Sequence, residues 1–126
     1  MNSNNKDLLP IFNPLNSFFI QKRYNNVDQT FKQLIDLVEA LPRTKKTQSN
    51  KNYWKGVCRS RFFRFPDDLE ILKKPVVNST NYSEGFIQIR SAARWGHSDL
   101  GVNQKRVSFL VNELNNIIKE KITSEN

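Results

Sequence analysis

Eight basic side chains, Arg43, Lys45, Lys46, Lys51, Lys55, Arg59, Arg61 and Arg64, fall within one stretch that contains no Asp or Glu. The formal net charge of the whole chain is +8, so this stretch carries as much net charge as the entire protein and the remaining residues cancel. Tyr53, Trp54, Phe62, Phe63 and Phe65 interleave with the cations. Ammonium and guanidinium groups neutralise phosphates and flat apolar faces stack on bases, so the combination suits a polyanion with stackable groups. Surface Lys and Arg are ordinary in themselves, but random mixing of the 12 acids through the chain would place some of them here.

Residues able to do covalent or acid–base chemistry are few. His97 is the only histidine, and its neighbours Gly96, Ser98 and Asp99 mark it as a loop or helix-terminus residue. Cys58 is the only cysteine and is expected to fill core as a small hydrophobe. Asp67, Asp68 and Glu70 fall close together, where they suit the positive end of a short helix better than a two-metal centre. Four scattered glycines build no phosphate loop. The chain is therefore expected to be no enzyme, with no catalytic residue, no metal ligand and no cofactor. Its candidate phosphate contacts are Lys45, Lys46, Lys51, Lys55, Arg59, Arg61 and Arg64, with Arg90, Arg94, Lys105 and Arg106 as a second patch. Tyr53 and Phe63 are the candidates for base stacking, whereas Trp54, Phe62 and Phe65 have the spacing of a buried face.

The elements that would position these residues are read as helices. Asn13 and Pro14 cap a first short helix reaching Tyr24. Val27, Phe31, Leu34, Ile35, Val38 and Leu41 recur at three- and four-residue spacing until Pro42, which predicts a helix over 28–41. Residues 43–52 read as a basic loop, and 53–65 as a third helix with Trp54, Val57, Cys58, Phe62 and Phe65 inward and Lys55, Arg59 and Arg61 outward. Residues 66–74 read as a connector helix and 76–82 as a polar turn. Residues 83–95 read as a fourth long helix, with Arg90 and Arg94 on one face. After Gly101, Val107, Leu110, Val111, Leu114, Ile117, Ile118 and Ile122 predict a long closing helix. The expected fold is all-α, a compact bundle of about five helices. Residues 13–122 would form a single helical domain between a flexible segment, 1–12, and a flexible tail, 123–126.

A chain of 126 residues is long enough to bury one core, and 37% hydrophobic with 25% charged residues is a globular balance. The single cysteine excludes an internal disulfide and fits a reducing compartment. The apolar residues of 8–20 are broken by Pro10 and Pro14 and lack a basic leader, so neither a signal peptide nor a membrane span is expected. The expectation is a cytoplasmic protein with no membrane partner. A short, basic, helical chain with cations at Lys55, Arg59, Arg61, Arg90 and Arg94 resembles the small helical subunits of CRISPR effector complexes. That resemblance implies a non-catalytic subunit that assembles with other proteins and touches guide or target nucleic acid. From the residues, the expected function is an accessory protein that binds DNA or RNA backbones inside a larger nucleoprotein complex. Two alternatives are an adaptor for an acidic protein and a small helix-turn-helix regulator.

Overall fold

The computed structural model describes residues 7–76 and 83–125 of the chain. Seven elements follow one another: β1 (Ser17–Tyr24), α1 (Val27–Glu39), β2 (Thr44–Ser49), β3 (Tyr53–Arg59), β4 (Pro66–Pro75), β5 (Gly85–Ala93) and α2 (Val102–Glu125). The strands form one antiparallel sheet in the order β1-β5-β4-β3-β2. Helix α1 carries the chain from β1 to the opposite edge strand β2, and β2 to β5 are a meander that brings β5 back to pair with β1. Both helices cover one face, where Val27, Phe31, Leu34 and Val38 of α1 and Val107, Leu110, Val111 and Leu114 of α2 meet the inward side chains of the strands.

This architecture overturns the expected all-α bundle. Helices α1 and α2 lie where helices were expected. The segments 15–24, 53–65, 66–74 and 83–95, expected as helices, carry strands β1, β3, β4 and β5, and the expected basic loop carries strand β2. The expected turn at 76–82 falls, but for Val76, outside the described residues. A helix-turn-helix is also overturned, because four strands separate α1 from α2.

Strand alternation explains the error at β3. Its buried residues are Trp54, Gly56 and Cys58, at period two. The middle one has no side chain, so the sequence shows only Trp54 and Cys58, which pass for a helical pair. Glycine is required there, since a Cβ at position 56 would stand 2.4 Å from the Trp54 ring and 2.8 Å from the Lys45 carbonyl oxygen. Trp54 is wholly buried and donates its indole N–H to Glu39 at 3.0 Å. Burial pushes the Cys58 thiol above its ordinary pKa, so this cysteine is inert core, as expected.

The helix α1 has conventional causes. Asn26 accepts from the Gln29 N–H, Asp28 stands in the positive first turn, and Pro42 follows the last turn. On the sheet's other face, residues 7–16 run along the strands. The Leu8 N–H donates to Gln88, Asp7 takes hydrogen bonds from Gln88 and Lys74, and Leu8 is buried.

Candidate anion-binding end

One end of the sheet gathers three segments. The β3–β4 loop connects Arg59 to its register partner Pro66. The β5–α2 connection begins with the Arg94 N–H donating to the Pro66 carbonyl at 3.2 Å. Residues 12–16 precede β1 and are tied to that connection: the Asp99 N–H donates to the Leu15 carbonyl, and Asn13 and Asn16 donate to the carbonyls of His97 and Gly96. Arg43 joins them, since the Arg59 N–H donates to its carbonyl and its Nε donates back to the Arg59 carbonyl.

The β3–β4 loop is held by its own hydrogen bonds. Ser60 and Phe65 bind each other twice, the Ser60 N–H donating to the Phe65 carbonyl at 3.0 Å and the Phe65 N–H to Ser60 Oγ at 2.9 Å. The Arg64 N–H donates to the Ser60 carbonyl, and the Arg59 guanidinium donates to the Arg64 carbonyl at 3.0 Å. Arg64 adopts a positive φ of 59°, which tightens the turn. Pro66, lacking an N–H, then opens β4 at the position where a strand tolerates proline. With the base of the loop closed by these bonds, the side chains of its tip point out. Phe62, Phe63 and Phe65 are exposed, Arg61 lies over the Phe62 ring at 5.4 Å, and the Phe63 and Phe65 rings stack at 5.4 Å.

Arg43, Arg59, Arg61 and Arg64 are all exposed, and none pairs with a carboxylate among the described residues. Behind them lies the opposite arrangement. Arg106, on the first turns of α2, donates to Asp67 Oδ2 at 3.0 Å, Asn103 Oδ1 at 2.9 Å and Ser91 Oγ at 3.1 Å. Ser91 donates to Asn103, whose amide donates to Asp99 and to the Asn16 carbonyl. Burial pushes the Asp67 carboxyl above its ordinary value, against the pull of Arg106. Asp99 is also pushed up by burial, but N–H donors from Asn103 and Gly101 outweigh that and hold it below its ordinary value. This network fastens α2 to the sheet.

The expected contacts divide accordingly. Arg59, Arg61 and Arg64 converge at this end together with Phe63. Lys45 lies on the open face and Lys46 on the helix face of β2, where Lys46 reaches Glu39 at 3.5 Å. Beyond partner binding, lysines on an exposed edge strand hinder pairing with another sheet. Lys51 sits in the β2–β3 turn at the opposite end, and Lys55 is half-buried across from Glu70. Tyr53 is half-buried, with its hydroxyl donating to Glu70 at 2.6 Å, and its pKa lies far above the ordinary value because burial and that carboxylate oppose ionisation. The second patch does not assemble. Arg90 on the open face meets Glu70, the exposed Arg94 grips Asp68 through two nitrogens, Arg106 is in the buried network, and Lys105 is exposed with no ion pair among the described residues. Asp67, Asp68 and Glu70 are strand residues answering those arginines rather than a helix end. His97 is an exposed loop residue, as expected. The sequence reading placed Phe62 and Phe65 in the core, counted Arg43 in the basic stretch without making it a contact, and passed over Trp95 and Leu100. The signal for the first two was Pro66, which marks the loop's end as a strand start.

A family model described as protein of unknown function (DUF1499) matches residues 14–114. The chain belongs to this family. No curated protein and no solved structure matches it. The matched span takes in the sheet, α1, the arginine-bearing loop and the polar network, so the candidate end lies within the family's domain. The helical fold implied by the resemblance to CRISPR effector subunits is not the fold of this DUF1499 domain. Among the described residues no group of three His, Cys, Asp or Glu side chains gathers as a metal site, and no helix is long and apolar enough to cross a membrane.

Proposed function

We propose that this chain is a non-catalytic binding module whose arginine-bearing end grips a phosphate-rich polyanion. One observation carries this reading: four exposed, unpaired arginines surround a hydrogen-bonded loop that displays three phenylalanines. Asp67 and Asp68 stand next to that loop in sequence, yet they pair with Arg106 and Arg94 instead, which leaves the loop cations available. A guanidinium offers a planar fork of donors that matches phosphate oxygens. The nucleic-acid backbone inside a larger assembly, expected from the sequence, is one instance of this chemistry.

The test uses three phosphate-bearing probes: inorganic polyphosphate, a mixed-sequence single-stranded oligonucleotide, and vesicles containing phosphatidylserine. The purified chain should bind at least one, with affinity falling as salt rises, and Arg59→Ala, Arg61→Ala and Arg64→Ala together should weaken it. Absence of binding to all three would end the reading and favour an adaptor for a protein partner.

A further inference from the structure

Exposed apolar side chains are not scattered over this molecule. Of the ten large ones exposed among the described residues, all but Leu9 and Phe109 lie at the arginine-bearing end or at the adjoining start of α2. Phe62 is 81% exposed, Leu100 87% and Trp95 68%, values that belong to protruding tips rather than to the walls of a groove. A concentration of exposed apolar side chains at one end of a folded domain marks an interaction site.

The chemistry of the cluster selects among phosphate-bearing partners. A nucleic-acid strand is held in a cationic groove and stacks its bases on flat rings. Here the apolar groups include Leu15 and Leu100, which offer no flat face, and they project from three separate loops. An aliphatic and aromatic tip ringed by arginines instead matches a bilayer surface, in which apolar side chains enter the acyl boundary and cations meet anionic headgroups. Arginine suits that position because its apolar stem can lie along the hydrocarbon while the guanidinium stays among phosphates. The base of the loop is closed by the hydrogen bonds among Ser60, Arg64 and Phe65, which holds the Phe62 and Phe63 tip outward.

We infer that this end of the domain docks peripherally on an anionic phospholipid bilayer, inserting Phe62, Phe63 and Trp95 while Arg59, Arg61 and Arg64 contact headgroup phosphates. This deepens the polyanion reading above and rests on it. Such docking departs from the expectation of no membrane partner, which rested on the lack of a spanning segment or signal peptide, because a peripheral contact needs neither.

The protein carries its own probe, because Trp54 is sealed in the core and Trp95 is exposed. Vesicles of phosphatidylcholine mixed with phosphatidylserine should sediment the chain and shift Trp95 fluorescence to the blue, whereas vesicles of phosphatidylcholine alone should bind far less. Phe62→Ala with Phe63→Ala should abolish the fluorescence shift and lower vesicle affinity while leaving polyphosphate binding in place. The arginine triple variant should lose about a hundredfold in affinity for the mixed vesicles, at roughly tenfold or less per cation. Circular dichroism and thermal melts of both variants should match the wild type, since the altered side chains are exposed. Vesicle binding that is unchanged by the phenylalanine pair, or has no Trp95 shift, would overturn insertion. Binding of the oligonucleotide or polyphosphate without binding of vesicles would overturn the bilayer inference and leave the polyanion reading standing. Binding of none would end both.

Discussion

Arg106 and Arg94 lie at the same end of the sheet as Arg59, Arg61 and Arg64, yet the fold treats the two groups in opposite ways. Each member of the first group meets a carboxylate, Asp67 or Asp68, and Arg106 is further enclosed by Ser91 and Asn103. The second group meets none, and one guanidinium in it, that of Arg59, also holds the loop's backbone through the Arg64 carbonyl. A charge removed from water must be answered by the protein, while one left in water is answered by solvent or by a partner. The difference therefore separates Arg106, which the fold requires, from arginines it displays, with Arg94 between them, exposed yet paired to Asp68.

The comparison can be broken most easily at Arg106. Arg106→Ala leaves the Asp67 carboxylate buried and unpaired, so urea unfolding should show a loss of about 3–5 kcal/mol. A loss no larger than at Arg61 would erase the distinction. The aromatics give a parallel pair of the same kind. Trp54→Ala should cost about 3–5 kcal/mol, because it empties the centre of the core. Phe62→Ala should change stability by no more than about 0.5 kcal/mol, as an exposed residue does.

Acid titration sharpens the description of the polar network. Asp99 has a folded pKa below its ordinary value, so its contribution is present above that value and is lost as pH falls through the folded one. Asp67 has a raised folded pKa, and its contribution runs the other way, fully present below the ordinary value and lost as pH rises through the raised one. The two partly offset in the wild type. Asp99→Asn should consequently lose less stability than the wild type between about pH 5 and pH 3, when both are followed by unfolding at each pH. An identical acid dependence would show that the carboxylate is not what ties Gly101 and Asn103 at the start of α2. A small stability effect is also expected for Arg59, Arg61 and Arg64 changed together to alanine. It should stay within about 1 kcal/mol in total, since the one structural bond involved is an exposed one from Arg59.

Both helices were legible from their apolar spacing, at Phe31, Leu34 and Val38 and at Val107, Leu110, Val111 and Leu114, because their inward positions are filled by large side chains. The strands were not, for a physical reason visible in each. The inward face of β5 runs Gly85, Ile87, Ile89, Ser91, Ala93, and that of β4 includes Asp67 and Lys73, so period two is interrupted by a missing side chain or by a buried ion. Asp67 can stand inside only because Arg106 arrives from α2, some forty residues later in the chain, and no local pattern conveys that. Of the candidate site, the cations at 59, 61 and 64 were found by charge alone. Trp95 was not, and Arg43, though part of the same basic stretch, was not placed with them, because their nearness to those cations depends on strand register.

If the displayed arginines face phosphates, the salt dependence of binding must report it. For whichever of the three phosphate probes the chain binds, affinity should be measured across a range of salt for the wild type and for Arg59→Ala, Arg61→Ala and Arg64→Ala combined. With a nucleic-acid probe, the logarithmic slope should flatten by about 0.7–0.9 for each phosphate contact removed, while the thermal melt stays where it was. With polyphosphate or vesicles the same direction is expected. A slope and affinity unchanged by the triple substitution would contradict the claim and assign these arginines to solvent alone.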